Sequence, residues 1–248
     1  MRKAFESYKS LFSILEFRIE NREEMRRNMK IELHFHTKET SPCGKVPAKE
    51  GIWSYKAAGY DAVVVTDHFS AATLGTEGDW ETVVQRFLNG YEEAKKFGES
   101  CYIKVYLGME IRFDDCENDF LVYGISREFL MEHPWIYRSS LEKFSAIARE
   151  WGCCIIQAHP FRDGCRPVKP NLIDGVEIWN TNPRQDSRNY LAAEWSMEHQ
   201  LLQTAGSDYH REGDLSGAAI LVTQLPNEEK EFAKLMKAGE YEIEISCL

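Results

Sequence analysis

Residues 31–68 read IELHFHTKETSPCGKVPAKEGIWSYKAAGYDAVVVTDH, and the punctuation of this stretch decides the fold class. Ile31 to His36 alternates apolar and polar residues and predicts a strand, which places His34 and His36 on one face. Val46 to Ala58 predicts a helix, with Pro47 near its first turn and Gly59 just past its end, where each residue is best tolerated. Asp61-Ala-Val-Val-Val-Thr66 is an apolar run of the kind buried on both faces of a parallel sheet. Strand, helix, strand with short connections is the unit of parallel α/β folds.

The alternation continues along the chain. Strands are predicted at 102–111, 120–124, 153–158, 176–179, 201–205, 218–223 and 241–245. Helices are predicted at 79–97, 139–151, 184–199 and 227–238. There is no internal repeat and no low-complexity linker. The chain has 248 residues, and α/β barrels commonly use ~250 as one unit, so a barrel is favoured over an open doubly wound sheet. No GxGxxG or P-loop follows the first strand, which weakens nucleotide-binding alternatives. At the start of the chain, Phe5, Tyr8, Leu11, Phe12, Leu15 and Ile19 recur at helical spacing. They predict one amphipathic helix over 4–28, so residues 1–29 read as a helical extension packed on a barrel domain of 30–248.

Composition narrows the function classes. An apolar fraction of 43% with 28% charged residues is that of a globular chain. Forty acidic against thirty basic side chains leave a formal net charge of −10, which disfavours long nucleic acid and anionic membranes. No stretch approaches the ~20 apolar residues of a membrane span. Glu6, Lys9, Glu16 and Arg18 interrupt any secretory signal. Seven cysteines without a CxxC pair read as reduced thiols, and a cytoplasmic location is expected. Nothing in the sequence sets an oligomeric state.

Five of the seven histidines fall at carboxyl ends of predicted strands: His34 and His36, His68, His159 and His210. Glu110 and Asp208 sit at comparable positions. In a parallel barrel these strand ends meet on one face, and converging imidazoles and carboxylates make a site for Zn, Mn or Fe ions. His133 and His199 fall outside the pattern and read as surface or packing residues. Ser41 and Cys43 do not make a convincing covalent nucleophile, because no separate His/Asp pair remains once metals have claimed theirs.

The ordered set Leu-His-Phe-His-Thr (33–37), Val-Thr-Asp-His (65–68), Gly-Met-Glu (108–110), Ala-His-Pro (158–160) and Gly-Ser-Asp-Tyr-His (206–210) resembles the PHP (polymerase and histidinol phosphatase) superfamily. The resemblance covers about 30–225 and implies a distorted (β/α)7 TIM-like barrel whose cluster of two to three divalent ions hydrolyses phosphate esters. It further implies that His34, His36, Glu110 and Asp208 hold one ion. Glu110 would bridge to a second ion shared with His159, and His68 and His210 would hold a third. Two family ligand positions carry other residues here: Cys43 in the first motif, and Leu121 on the strand after the bridging glutamate. Asp119 lies two residues before Leu121, so its side chain leaves the same face and can reach the second ion. A Cys43 thiolate at the third would favour zinc or iron over magnesium. Glu177 and Asn180, in a Gly-Val-Glu-Ile-Trp-Asn segment that also resembles the family, either orient a ligand histidine or make a structural hydrogen bond. Trp53, Trp135 and Trp179 read as packing residues.

Phosphate-ester hydrolysis needs activated water, neutralised phosphoryl charge and a proton for the leaving group. Arg162, Asp208 and His210 are the expected catalytic residues, with Arg162, Arg166 and Lys38 as candidates for the substrate phosphate and Lys45 behind them. The expected partner is a small phosphorylated substrate, a phosphomonoester or small nucleotide. A metal-dependent amidohydrolase is the competing enzyme class, although no metal-bridging lysine stands at a strand end. A non-catalytic metal-binding regulatory module is the alternative outside enzymes.

Overall fold

The computed structural model describes residues 28–246. The helix predicted over 4–28 lies outside the described residues, apart from Asn28, which immediately precedes the first strand. In chain order the elements are β1 (Met29–Phe35), α1 (Ala48–Ala57), β2 (Ala62–Val65), β3 (His68–Phe69), α2 (Ala71–Leu74) and α3 (Trp80–Cys101). Then follow β4 (Lys104–Arg112), β5 (Asp119–Tyr123), α4 (Arg127–Glu132), α5 (Leu141–Glu150), β6 (Cys154–Gln157) and β7 (Gly175–Asn180). The chain ends with α6 (Asn189–Glu198), β8 (Leu202–Gly206), β9 (Gly217–Val222), α7 (Glu229–Ala238) and β10 (Glu242–Ser246). Side-chain caps open several helices: Asp79 accepts the Thr82 N–H at α3, and Ser140 accepts the Lys143 N–H at α5.

The strands form one sheet in the order β10-β9-β1-β2-β4-β5-β6-β7-β8, with β3 beside β4. The path nearly closes on itself. Just past β8, Tyr209 bridges to Phe35 of β1, donating its N–H to His34 O at 3.2 Å and accepting from His36 N–H at 3.1 Å. The result is a barrel-shaped sheet with helices outside.

Three strands depart from the expected parallel arrangement. β5 is antiparallel to both β4 and β6, β9 is antiparallel to β1, and β10 is antiparallel to β9. The physical reason lies partly in the connections. Residues 113–118 contain no helix, and a helix-free link of that length turns the chain back rather than crossing over to a parallel neighbour. The helix predicted over 184–199 begins only at Asn189. Ahead of it, Asn182 and Asp186 accept the N–H groups of Arg184 and Arg188 at 3.1 and 3.0 Å, local bonds that compete with helical ones.

A register shift in β1 aims the first motif. Ile31 pairs with Ala62 and Glu32 with Val63, but Phe35 pairs with Val65, so β1 carries an extra residue between Glu32 and Phe35. Such a bulge reverses the in–out alternation. Ile31 and Leu33 therefore join the interior cluster with Val64, Tyr106, Leu121, Tyr123 and Ile156, while Phe35 packs outward on Val63 and Val65. His34 and His36 then follow on the inner face above that apolar floor. Phe232, Ala233 and Met236 of α7 belong to the same interior cluster and close the opposite end of the barrel.

Gly90 in the middle of α3 marks a close approach to the first metal-motif loop. A Cβ there would lie 2.0 Å from Thr37 Oγ1 and 2.6 Å from Asp67 Oδ2. Helix propensity alone would make Gly90→Ala stabilising by ~1 kcal/mol. The overlap reverses the sign, and chemical denaturation should show a loss of about 2 kcal/mol. A stabilised alanine variant would contradict this packing.

Candidate metal centre

The strand ends bring His34, His36, His68, Glu110, His159, Asp208 and His210 together in the mouth of the barrel. In four overlapping sets, one ligand atom from each residue lies within 4.8 Å of the others: His34/His36/Glu110, Glu110/Asp119/His159, His34/His159/Asp208 and His36/His68/His210. His34 Nε2 is 3.1 Å from His36 Nε2, 3.3 Å from Glu110 Oε1 and 3.5 Å from Asp208 Oδ1. His36 Nε2 is 3.2 Å from Glu110 Oε2, and His159 Nε2 is 3.3 Å from Glu110 Oε1. His68 Nδ1 lies 2.8 Å from Glu110 Oε2.

The remaining ring nitrogens are held from behind. His34 Nδ1 donates to Glu177 Oε1 at 2.8 Å. Glu177 Oε2 accepts the N–H of His159 at 3.1 Å and Asn180 Nδ2 at 2.9 Å. One buried carboxylate thus orients one histidine ring and the backbone of another, and Asn180 serves it. His36 Nδ1 donates to Ser41 Oγ at 3.2 Å, and Ser41 Oγ in turn donates to Asp67 Oδ1 at 2.6 Å. Asp67 stands beside His68 in the second motif and is the carboxylate that sequence reasoning passed over. These partners turn Nε2 of both rings inward.

Two of these residues sit in the left-handed backbone region: His159 at φ +30° and Asp208 at φ +54°. Non-glycine residues reach it at a cost of about 1–3 kcal/mol, and such strain gathers at functional sites. Asn182 helps to hold Asp208, its Nδ2 donating to Asp208 O at 3.0 Å.

The electrostatics of the cluster are internally balanced. Burial opposes ionisation of Glu110, yet the charges of His68 and His34 outweigh it and hold the carboxyl well below its usual range. Asp208 is likewise held low against burial by His34, His210 and Arg162. His36 is driven down by burial and by the charges of His210 and His68. Burial works against the charge on His159, but hydrogen bonds to Cys165 and Glu110 carry it up to about 9. Glu110 Oε2 remains orphaned: it is buried and accepts no hydrogen bond of acceptable geometry.

Cys43 Sγ lies 3.1 Å from His68 Nε2, beside the third histidine set. Burial opposes its ionisation, and hydrogen bonds with His210 and His68 bring it down to about 6. Asp119 reaches within 3.9 Å of His159 Nε2 while Arg112 engages both of its oxygens at 2.7 and 2.5 Å. Leu121 pairs opposite Glu110 across β4 and β5 and belongs to the apolar floor.

A cavity of about 250 Å³ opens over the cluster. Arg162 lines it, with Nη2 donating to Asp208 Oδ2 at 2.8 Å, Asn180 Oδ1 at 3.0 Å and Ser187 Oγ at 3.1 Å. Arg112, Arg184 and Arg211 line it too, three guanidiniums that carried no motif in the sequence. Lys38, Lys45 and Arg166 are not among its lining residues, and Lys45 Nζ donates to Pro42 O instead. His133 packs against Phe129 and Trp151, and His199 against Trp195, away from the cluster. Among the described residues no helix is long and apolar enough to cross a membrane.

Solved structures share this architecture at low identity. A protein from Bifidobacterium adolescentis, inferred to be a metal-dependent phosphoesterase, matches with a TM-score of 0.54 at 17% identity, over 84% of this chain and 96% of that one. A two-domain protein from Bacteroides vulgatus with an inferred PHP-like metal-dependent phosphoesterase gives 0.61 at 14% identity, over 88% and 65%. The lesion-specific endonuclease Q of Pyrococcus furiosus gives 0.54 at 18% identity, over 87% of this chain and 57% of that longer one. No curated protein matches the chain. The PHP domain itself matches over residues 32–246, which spans the barrel and every motif gathered at its mouth, and the chain belongs to the PHP domain family.

Proposed function

We propose that this chain is a metal-dependent phosphoesterase acting on a small phosphorylated molecule. The orphaned Glu110 Oε2 carries the reading. It faces His68 Nδ1 at 2.8 Å and His36 Nε2 at 3.2 Å, deep in a site where His34 Nε2 and His36 Nε2 also face each other. A buried charged oxygen without a well-aligned donor costs upwards of about 1–3 kcal/mol, and the charged imidazoles that must crowd around it to balance it repel one another. A divalent cation relieves both, and this mixture of imidazole and carboxylate suits zinc, manganese or iron.

His34, His36, Glu110 and Asp208 would hold one ion. Glu110, His159 and Asp119 would hold a second, with Asp119 keeping its contact to Arg112. His68 and His210, with Cys43 beside them, would hold a third. When bound, such ions supply an activated water near neutral pH and positive charge toward the phosphoryl oxygens. The chain supplies the rest. Arg162 lines the cavity above Asp208, where its guanidinium would meet a phosphoryl oxygen. His210 is charged against burial by hydrogen bonds with Asp208 and Cys43, up to about 10. Where the third position is empty, it holds a proton at the cavity for the leaving group. The arginine-lined mouth in a chain of formal net charge −10 favours a small anion over long nucleic acid.

Hydrolysis of an aryl phosphate should require manganese, zinc or iron and should stop on chelation. His34→Ala and Asp208→Ala should lose bound metal and activity together. Full turnover by thoroughly demetallated protein would sink this reading. The neighbour endonuclease Q has been seen with a 27-mer duplex bearing an abasic lesion. Such a duplex should not compete here with a small phosphomonoester at physiological salt, and tight competition would move the substrate class to DNA.

Arg162→Ala should lower kcat/KM by roughly 2–4 kcal/mol in transition-state stabilisation, with metal content unchanged. An unchanged kcat/KM would reduce Arg162 to a loop anchor.

A further inference from the structure

The barrel closes at a seam between β1 and the end of β8, and the seam has few backbone hydrogen bonds. Above it lie the two bonds of Tyr209. Below them the N–H of Ser207 donates to Glu32 Oε1 at 3.0 Å, a side chain of β1, rather than to a β1 carbonyl. The same oxygen accepts the N–H of Leu33 at 3.0 Å and of His34 at 2.8 Å. Glu32 is 0% exposed, and its second oxygen has no partner. Packing at the seam leaves no slack: a Cβ on Gly206 would lie 2.6 Å from His34 Cβ and 2.9 Å from Glu177 Oε1. Ser207 Oγ, hydrogen-bonded to Tyr55 Oη at 2.6 Å, lies 3.3 Å from His34 O.

We propose that Glu32 is a positioning residue whose single oxygen fixes the spacing between His34 and Asp208 across this seam. Its three donors belong to the bulge that aims His34 and to the residue immediately before Asp208. No other side chain in the described residues ties both together through backbone N–H groups. A hydrophobic residue of similar volume would spare the unpaired oxygen but leave three N–H groups without their acceptor, so the role of Glu32 lies in what Oε1 holds together. Metal and catalytic constellations tolerate displacement of only about 0.5 Å, and Glu32 holds the His34–Asp208 gap of 3.5 Å from below while the Tyr209 bonds hold it from above. The inference rests on the reading that His34 and Asp208 share an ion.

Cobalt(II) titration of demetallated protein, followed by its visible absorption, tests it in the full chain. Glu32→Gln keeps the length and the accepting oxygen; Glu32→Asp keeps the charge but cannot reach all three donors. Glu32→Gln should bind cobalt within about threefold of the parent, while Glu32→Asp should lose about tenfold or more and shift the bands, the size expected when support for a ligand is removed. Melting in EDTA separates this from folding. Equal cobalt affinity in Glu32→Asp and the parent, or an equal loss in both variants, would overturn the clamp. If the parent itself bound no cobalt, the metal reading would fail and the clamp with it.

Discussion

Two carboxylates with almost no access to water, Glu110 and Asp208, lie among five imidazoles at the mouth of the barrel, and the rest of the structure answers to that fact. A lone buried carboxylate would protonate rather than stay charged. Here burial is overcome, because His34 and His68 on one side and Arg162 on the other hold both groups ionised. The same histidines cannot all carry protons at such short range, and His36 is forced neutral. The site therefore holds buried carboxylates whose charge is balanced by protons on crowded imidazoles, and one carboxylate oxygen without a well-aligned donor. Such an arrangement could hold divalent cations, whose entry would displace the protons that now balance it.

Geometry of this kind needs support from outside the cluster. Glu177 fixes His34 and the backbone of His159 at once, and the Ser41–Asp67 pair fixes His36. The floor is apolar, with Leu121 paired opposite Glu110 and α7 packed at the far end, while the cavity opens over the cluster at the mouth. Strain at His159 and Asp208 is tolerated because neighbouring hydrogen bonds over-determine both positions. Cluster residues, the carboxylates and hydroxyl that orient them from behind, and the arginines that line the cavity thus form three successive layers.

Much of this was legible in the sequence because strand ends in a barrel must converge. His34 and His36 two apart, and His68, Glu110, His159 and Asp208 each closing an apolar run, imply one cluster without any structure. Asp119 was reachable by the two-residue period of β5. What escaped depended on long-range pairing. The antiparallel course of β5 follows from a helix-free link whose direction no local pattern encodes. The bulge in β1 shows only once Phe35 is seen to pair with Val65. Arg112 and Arg184 lacked motifs because they are placed by carboxylates that only the folded pairing brings beside them, Asp119 across β4 and β5 and Asp214 in the loop after β8. Lys38 and Arg166 looked suitable by proximity along the chain, but neither lines the cavity.

The central claim is that Glu110 bridges divalent ions held by the histidines around it. An anomalous-difference map from crystals grown with manganese or zinc tests it most directly. The account predicts two strong peaks flanking the Glu110 carboxylate, one among His34, His36 and Asp208 and one between His159 and Asp119. No peak at either place, with a water molecule satisfying Glu110 Oε2, would contradict it.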